Sequence, residues 1–383
     1  MQDWSLIASF GVTAILLCGC GTQTLHSQTA SRPAVADNAI HVTAFRALQF
    51  YGAQQGWALA SISSASSSTQ YVILMTKDGG RHWTPVLQPA PLGSIATADF
   101  TSPDHGALVL SSASSARAVA YTTANGGRVW HKFVLKNGLT TGVNSAQINF
   151  SSSANGWIAL SSTGLGYAQT VLYRTQDGGI QWASLPHPTA WSIFPNGLTA
   201  KDTTVWVTGQ NHSNQSNQTM MTTDAGGHWF ALQVSLPRGV TNADTFPMVV
   251  AGSAHVLPVL LYLPQQFGFM LYHQAAGGFQ PTTTLAIKTI DPPLNEVLNA
   301  NQAWVVGRYH LYHTNTGGRS WTPIHQVSAA WRLLDIQGSG IGYAVVQSPS
   351  TTPQLLLTTD GGQHWQAIRY VVKPSSKKST TTS

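Results

Sequence analysis

Thr76-Lys77-Asp78-Gly79-Gly80-Arg81-His82-Trp83 is one copy of a phrase that recurs along this 383-residue chain. It returns as Thr175/Asp177/Gly179/Trp182, Thr222/Asp224/Gly226/Trp229 and Thr358/Asp360/Gly362/Trp365. Two relaxed copies are Thr123/Asn125/Gly127/Trp130 and Thr314/Thr316/Gly318/Trp321. The tryptophan-to-tryptophan steps are 47, 52, 47, 92 and 44 residues, so the longest is two periods with one box worn away. In that gap, Leu271-Tyr272-His273-Gln274-Ala275-Ala276-Gly277-Gly278 keeps the lead-in of Leu311-Tyr312-His313 and the double glycine but lacks Thr and Asp. Seven units therefore fill residues 45–370, and a fixed period of this size marks a repeat architecture.

Each unit opens with a short apolar stretch ending in an aromatic, as at Phe50, Phe100 and Phe150. Six residues on, a glycine opens a second strand: Gly56-Trp57-Ala58-Leu59, Gly106-Ala107-Leu108-Val109, Gly156-Trp157-Ile158-Ala159. The seventh unit keeps the spacing with Ile336 and Gly342. A polar loop, a β-rich third strand and the box follow, and a fourth strand starts at the box tryptophan. Short β-branched and aromatic runs broken by turn residues are the strand signal. Four strands per unit, seven times over, predict an all-β fold: a seven-bladed β-propeller of four-stranded antiparallel blades. The boxes read as hairpin turns. Asp accepts hydrogen bonds from backbone N–H groups, glycine supplies positive φ and tryptophan wedges against the sheet. Asp78, Asn125, Asp177, Asp224, Thr316 and Asp360, with Trp83, Trp130, Trp182, Trp229, Trp321 and Trp365, are expected to be structural. They sit at equivalent places in separate blades and cannot converge on one substrate.

The phrase Ser/Thr-x-Asp-x-Gly-x-x-Trp resembles the Asp-box, or BNR, repeat of a β-propeller superfamily, over nearly all of residues 44–371. The fuller pattern, Gly-Trp, a polar loop, then Leu-Tyr-x-Thr-x-Asp-Gly-Gly-x-x-Trp, is most similar to the photosystem II assembly and stability factors and their relatives in non-photosynthetic bacteria. That resemblance implies a non-enzymatic assembly or binding scaffold. Sialidases and xyloglucanases share the superfamily, so a glycoside hydrolase is the alternative it implies.

Residues 5–19 are largely apolar, about the length of a signal h-region and short of the ~20 residues of a spanning helix. Leu17-Cys18-Gly19-Cys20 closes the run and resembles a bacterial lipobox with Cys20 as the lipidated residue. The leader Met1-Gln2-Asp3-Trp4 lacks Lys and Arg, a departure from secretory leaders. The expected organisation is a lipoprotein signal peptide over 1–19, a flexible spacer over 20–43, the propeller over 44–371 and a disordered basic Ser/Thr-rich tail over 372–383. This places a monomer on the outer face of a bacterial membrane or in the cell envelope, held by its N-terminal lipid. Both cysteines, Cys18 and Cys20, fall in the leader, which excludes a structural disulfide and a Cys-based zinc site from the domain.

Charged residues are 8% of the chain, against an ordinary ~25%. The surface is expected to stay soluble through hydroxyls and amides. Residues 45–370 hold 15 Lys/Arg and 11 Asp/Glu, a net of +4 (15 − 11), with no basic run. Nucleic-acid binding wants a clustered patch with stacking aromatics, so no nucleic-acid partner is expected. The 14 His residues show no metal spacing, and neither a metal nor a cofactor is expected.

Candidate contacts to a protein or glycan lie on the face opposite the boxes. Trp191 and Trp331 (followed by Arg332) each precede an inner strand, where an aromatic either stacks on a ligand or packs against the next blade. A second pattern is a polar residue before the inner-strand aromatic or its aliphatic equivalent: Gln49, Asp99, Asn149, Glu296 and Asp335. These either line the central channel as a polar tunnel or form an unspecific solvated wall. A hydrolase needs two carboxyl groups at its cleft. Glu296 is the one Glu of the chain, so a Glu296–Asp335 pair from neighbouring blades is the candidate. The arginine triad and the Phe/Tyr-Arg-Ile-Pro segment of sialidases are not found; Ala44-Phe45-Arg46-Ala47-Leu48 departs from the latter.

Overall fold

The computed structural model describes residues 40–63, 70–89, 93, 95–136, 139, 142–164, 167–185, 193–211, 217–276, 278–287, 294–327, 331–349, 351–373 and 380–382. Cys20, the leader, residues 20–39 of the spacer and Trp191 lie outside them.

The six-residue step from aromatic to glycine is a cross-strand pair. Phe50 lies opposite Gly56, Phe100 opposite Gly106 and Phe150 opposite Gly156 in antiparallel register. The ring lies over the glycine: a Cβ on Gly156 would come within 2.5 Å of the Phe150 ring. The spacing thus fixes a tight hairpin between the first two strands, and the glycine makes room for the aromatic.

Seven antiparallel blades follow. The first comprises Val42–Tyr51, Gln55–Ile62, Gln70–Thr76 and His82–Leu87. The second runs Ile95–Phe100, Gly106–Ser112, Ser115–Thr123 and Val129–Leu135, and the third Ser145–Phe150, Gly156–Gly164, Tyr167–Thr175 and Ala183–Ser184. The fourth is Ile193–Lys201, Thr204–Asn211, Asn217–Thr222 and Phe230–Leu232. The sixth is Leu294–Val297, Ala303–Val306, His310–Thr314 and Thr322–Gln326, and the seventh Trp331–Ile336, Gly342–Val346, Gln354–Thr358 and Gln366–Ile368. First strands of neighbouring blades abut one another, which makes them the inner wall.

Blade five departs from the regular plan. Its inner position is split into Ala243–Thr245 and Val249–Ala251, both paired with Ala254–Leu263. Pro247 lies at the break, where it cannot donate to a ladder. Its third strand, Gln266–Ala275, pairs at its end with Gly278–Pro281, Ala275 standing opposite Gly278. A short hairpin replaces the box there. Leu285–Ile287 pairs farther along the same strand.

The core is not one mass but seven, each between two neighbouring blades. Trp57, Leu59 and Ile73 of blade one pack with Phe100, Leu108 and Trp130 of blade two. The alternate residues Ala58, Ala60 and Leu74 face the other way, against Tyr343, Val345 and Leu355 of blade seven. Both faces of a central strand are therefore buried, which is why Gly106–Ser112 is buried throughout and the strands read as continuous apolar runs. Box tryptophans serve these cores. Trp130 packs edge-on to Trp57 at 6.3 Å, and Trp182 packs on Phe150 in the same manner at 5.8 Å.

After blade seven the chain crosses to blade one. Val371–Val372 adds a parallel strand beside His82 and Trp83, with Val371 N–H donating to the Arg81 carbonyl and Lys373 N–H to that of Trp83. Within the segment expected to be a disordered tail, Thr380–Thr382 forms a parallel strand along Val129–His131 of blade two. No helix among the described residues is long and apolar enough to cross a membrane.

Candidate functional site

Each box closes through one hydrogen-bond circuit. The Thr76 hydroxyl donates to Asp78 Oδ1 (3.0 Å) and accepts the Gly80 N–H (3.0 Å), while Asp78 Oδ1 accepts the His82 N–H (2.9 Å). Thr175/Asp177, Thr222/Asp224 and Thr358/Asp360 repeat it. The relaxed copies work because the circuit needs an acceptor, not a charge. Val129 N–H donates to Asn125 Oδ1 (3.0 Å), and Ser320 N–H to the Thr316 hydroxyl (3.0 Å). Each box turn is also tied to the loop between the first two strands of its own blade, as in Gly79 N–H to the Gln54 carbonyl and Gly126 N–H to that of Asp104. Boxes and first loops thus share one face.

Three boxes carry a further partner for the box Asp. His82, His228 and His364 each place Nδ1 2.6 Å from the outer carboxylate oxygen of the box Asp. The spacing Asp-x-x-x-His was the available signal. Burial pushes the Asp78 carboxyl upward, but the hydrogen bonds it accepts outweigh that and hold it at about 2. At Asp360 the His364 N–H is the main cause of a similar value, about 2.

The polar residues before the inner-strand aromatics have a role the pattern did not disclose. Asp335 Oδ2 accepts the Phe50 N–H (2.7 Å), and its Oδ1 accepts from Gln49 Nε2 (3.3 Å). Asp99 Oδ2 accepts the Phe150 N–H (2.6 Å), and Asn149 Oδ1 the Ala200 N–H (2.8 Å). Each side chain bonds the inner strand of the following blade. Asp99, Asn149 and Asp335 are inter-blade clamps, not an unspecific wall. Burial drives Asp99 and Asp335 up to about 6 against the hydrogen bonds they accept. Glu296 is pushed up to about 8, by burial first and then by the charge of Asp335.

Trp331 is 8% exposed and meets Trp365 edge-on at 5.1 Å. Of the two readings open for it, this geometry is packing. The ring fills the core between blades six and seven and offers no stacking surface, which corrects its place among candidate ligand contacts. Arg332 beside it is exposed.

A cleft not foreseen from the sequence opens on the box face between blades one and two. It is a cavity of about 70 Å³. Gln55, Lys77, Asp104, Asn125 and Arg128 supply its polar lining, and Trp57, Met75 and Pro103 its apolar part. Among the described residues, the side chains of Lys77, Asp104 and Arg128 have no hydrogen-bond or ion-pair partner. No group of His, Cys, Asp and Glu among the described residues suits a metal ion.

No family model matches the sequence, and no curated protein matches it. Among solved structures, YCF48 bound to a D1 peptide is similar at TM-score 0.49 and 16% identity, over 71% of this chain and 79% of that one. A puromycin hydrolase mutant complexed with PGG is similar at TM-score 0.57 and 12% identity, over 89% of this chain and 55% of the other, so this chain spans about half of that protein. A PL25 ulvan lyase is similar at TM-score 0.52 and 8% identity, over 84% of this chain and 93% of that one. At such identities the likeness is one of fold, and a fold of this kind hosts unrelated functions.

Proposed function

We propose that this protein is a non-enzymatic binding or assembly scaffold for a protein or glycan, exported and held at the cell envelope by lipid on Cys20. The observation that carries the binding reading is how six of its carboxylates are occupied. Asp78, Asp177, Asp224 and Asp360 each close a turn. Asp99 and Asp335 each accept a backbone N–H from the next blade. Groups committed to the frame are poorly placed to move protons for a substrate, whereas a rigid ring with an open cleft suits recognition.

The export reading rests on Leu17-Cys18-Gly19-Cys20 after an apolar run. Two or more acyl chains would anchor the protein firmly, and one alone only marginally. Mass spectrometry of the native N-terminus checks it: a lipid-modified Cys20 is expected, and cleavage elsewhere with Cys20 unmodified or removed counts against it.

One observation favours a second reading, a glycoside hydrolase. Burial first and then the charge of Asp335 push the Glu296 carboxyl up to about 8, the direction a general acid needs. The two readings separate on one experiment. The full chain is screened on glycan and peptide arrays, and every ligand retained is incubated and analysed for cleavage. Saturable binding without turnover is expected. Turnover that disappears in Glu296→Gln would replace the scaffold with a hydrolase.

A further inference from the structure

Asn125 is the one amide among the box acceptors, and its box also has Val129 where three others have a histidine. The two changes act on the same atom. In the His boxes the outer carboxylate oxygen faces the imidazole. In blade two the inner oxygen is fixed as acceptor by the Val129 N–H and the Thr123 hydroxyl. The outer atom is therefore the Nδ2 amide, a donor. Asn125 lines the cleft between blades one and two together with Lys77 and Arg128. The cleft already holds the Asp104 carboxylate, and an Asp at 125 would have added a second negative charge and cancelled both cations. The amide keeps the box closed and leaves three donors, two of them charged.

We infer that this cleft binds the carboxylate of an acidic sugar, the inference resting on the scaffold reading above. Lys77, Arg128 and the Asn125 amide take the carboxylate. Asp104, which only accepts when ionised, and Gln55, which does both, take neighbouring hydroxyls. Charge-assisted bonds of the first kind set affinity, and the second set reads the ring. A peptide carboxyl end is the less suited occupant. It brings one N–H beside its carboxylate to set against Asp104 and Gln55, and of the apolar lining Trp57 is 1% exposed and spent on the blade interface, which leaves only the half-buried Met75 and Pro103 for its side chain.

The test is isothermal titration of the full chain with a glucuronate-containing oligosaccharide, its carboxyl-reduced form, and a short peptide with a free or an amidated C-terminus. Asn125→Asp is the decisive variant, because it restores the acceptor that the other boxes use and so leaves the fold intact. Binding of the uronate is expected, weaker by about tenfold or more for the carboxyl-reduced form, for Asn125→Asp and for Arg128→Gln, the size of a lost charge-assisted hydrogen bond. Uronate affinity unmoved by Asn125→Asp at an unchanged melting temperature would overturn the site and leave the scaffold reading standing. So would absence of uronate binding, or binding of the free peptide end alone. Cleavage of the bound oligosaccharide would sink the scaffold reading while leaving the site.

Discussion

A single side chain in this fold is valued by the backbone group it satisfies. Asp360 Oδ1 accepts the N–H groups of Gln363 (3.1 Å) and His364 (3.0 Å) and the hydroxyl of Thr358 (2.8 Å). Asp360→Ala should cost about 1–3 kcal/mol in chemical denaturation, mainly through N–H groups left without an acceptor. Asp360→Asn should cost less, since Asn125 already closes a box in blade two, and what it still loses is the share of the ionised carboxylate, which faces His364 Nδ1 at 2.6 Å. Equal losses in both variants would mean that charge, not acceptance, holds the turn. Gly156 is governed by the opposite constraint, lack of room. With the Phe150 ring at 2.5 Å from an added Cβ, Gly156→Ala should destabilise by about 1–3 kcal/mol, as overpacking does. Phe150→Leu in the same chain should recover part of that loss; a double mutant that simply sums the two costs would refute the contact. Both residues were legible in the sequence, because their partners lie a few residues away. The clamps were not. Asp335 and Phe50 stand 285 residues apart, and nothing in a one-dimensional pattern says which neighbouring strand a polar side chain will reach. Trp331 stayed ambiguous for a related reason: a tryptophan before an inner strand reads the same whether it turns to solvent or to Trp365.

At the scale of the element, the blade was readable and its joints were not. Strand, loop, strand and box repeat with a period the eye can follow, and the missing box of blade five was visible as a gap. The strand that joins the ends of the ring gave no such signal, since Tyr370-Val371-Val372 is too short to register as a strand and its partner is near the start of the domain. Its packing is nonetheless substantial. Val372 is 4% exposed within the core that holds Trp83 and Tyr343, and the Tyr370 ring meets Phe45 edge-on at 5.4 Å. Ending the chain after Arg369 should therefore lower the denaturation midpoint by the equivalent of about 2–4 kcal/mol, the burial of one aliphatic and part of one aromatic side chain. Ending it after Lys373 keeps those contacts, along with the Lys373 N–H bond to the Trp83 carbonyl (2.9 Å), and should cost little. If the two truncations unfold together, the parallel strand on blade one contributes nothing and closure rests on the blade-seven contacts alone.

The whole molecule carries few charges, and burial raises three of its carboxyls. Glu296 titrates near 8 and Asp99 and Asp335 near 6, all raised first by burial. A carboxyl whose folded pKa lies above its unfolded value binds more protons folded than unfolded in the interval between them. Stability then rises as pH falls through that interval and is lost as pH rises. The box carboxylates have the opposite sign. Asp78 and Asp360 lie near 2 in the fold, so their contribution is present above the unfolded pKa of about 4 and fades as pH falls below it. The two carboxyl sets change over at their unfolded value of about 4. Burial pushes the His105 and His313 imidazoles down from their ordinary 6.5, so they withdraw stability as pH falls below that value. The optimum therefore lies between about pH 4 and 6.5, more acidic than neutrality, and the 8% charged composition leaves little surface charge to build repulsion on the way down. Melting temperature measured from pH 3 to 9 should climb from the alkaline side, peak on the acid side of neutrality and drop below about pH 4. Glu296→Gln should flatten the climb between about pH 8 and 6, because it removes the one group whose raised pKa spans that interval, while leaving the acid limb to the boxes. A maximum at pH 7–8 in the wild type, or a climb that survives Glu296→Gln unchanged, would show that burial of these carboxyls does not set the pH response of the ring.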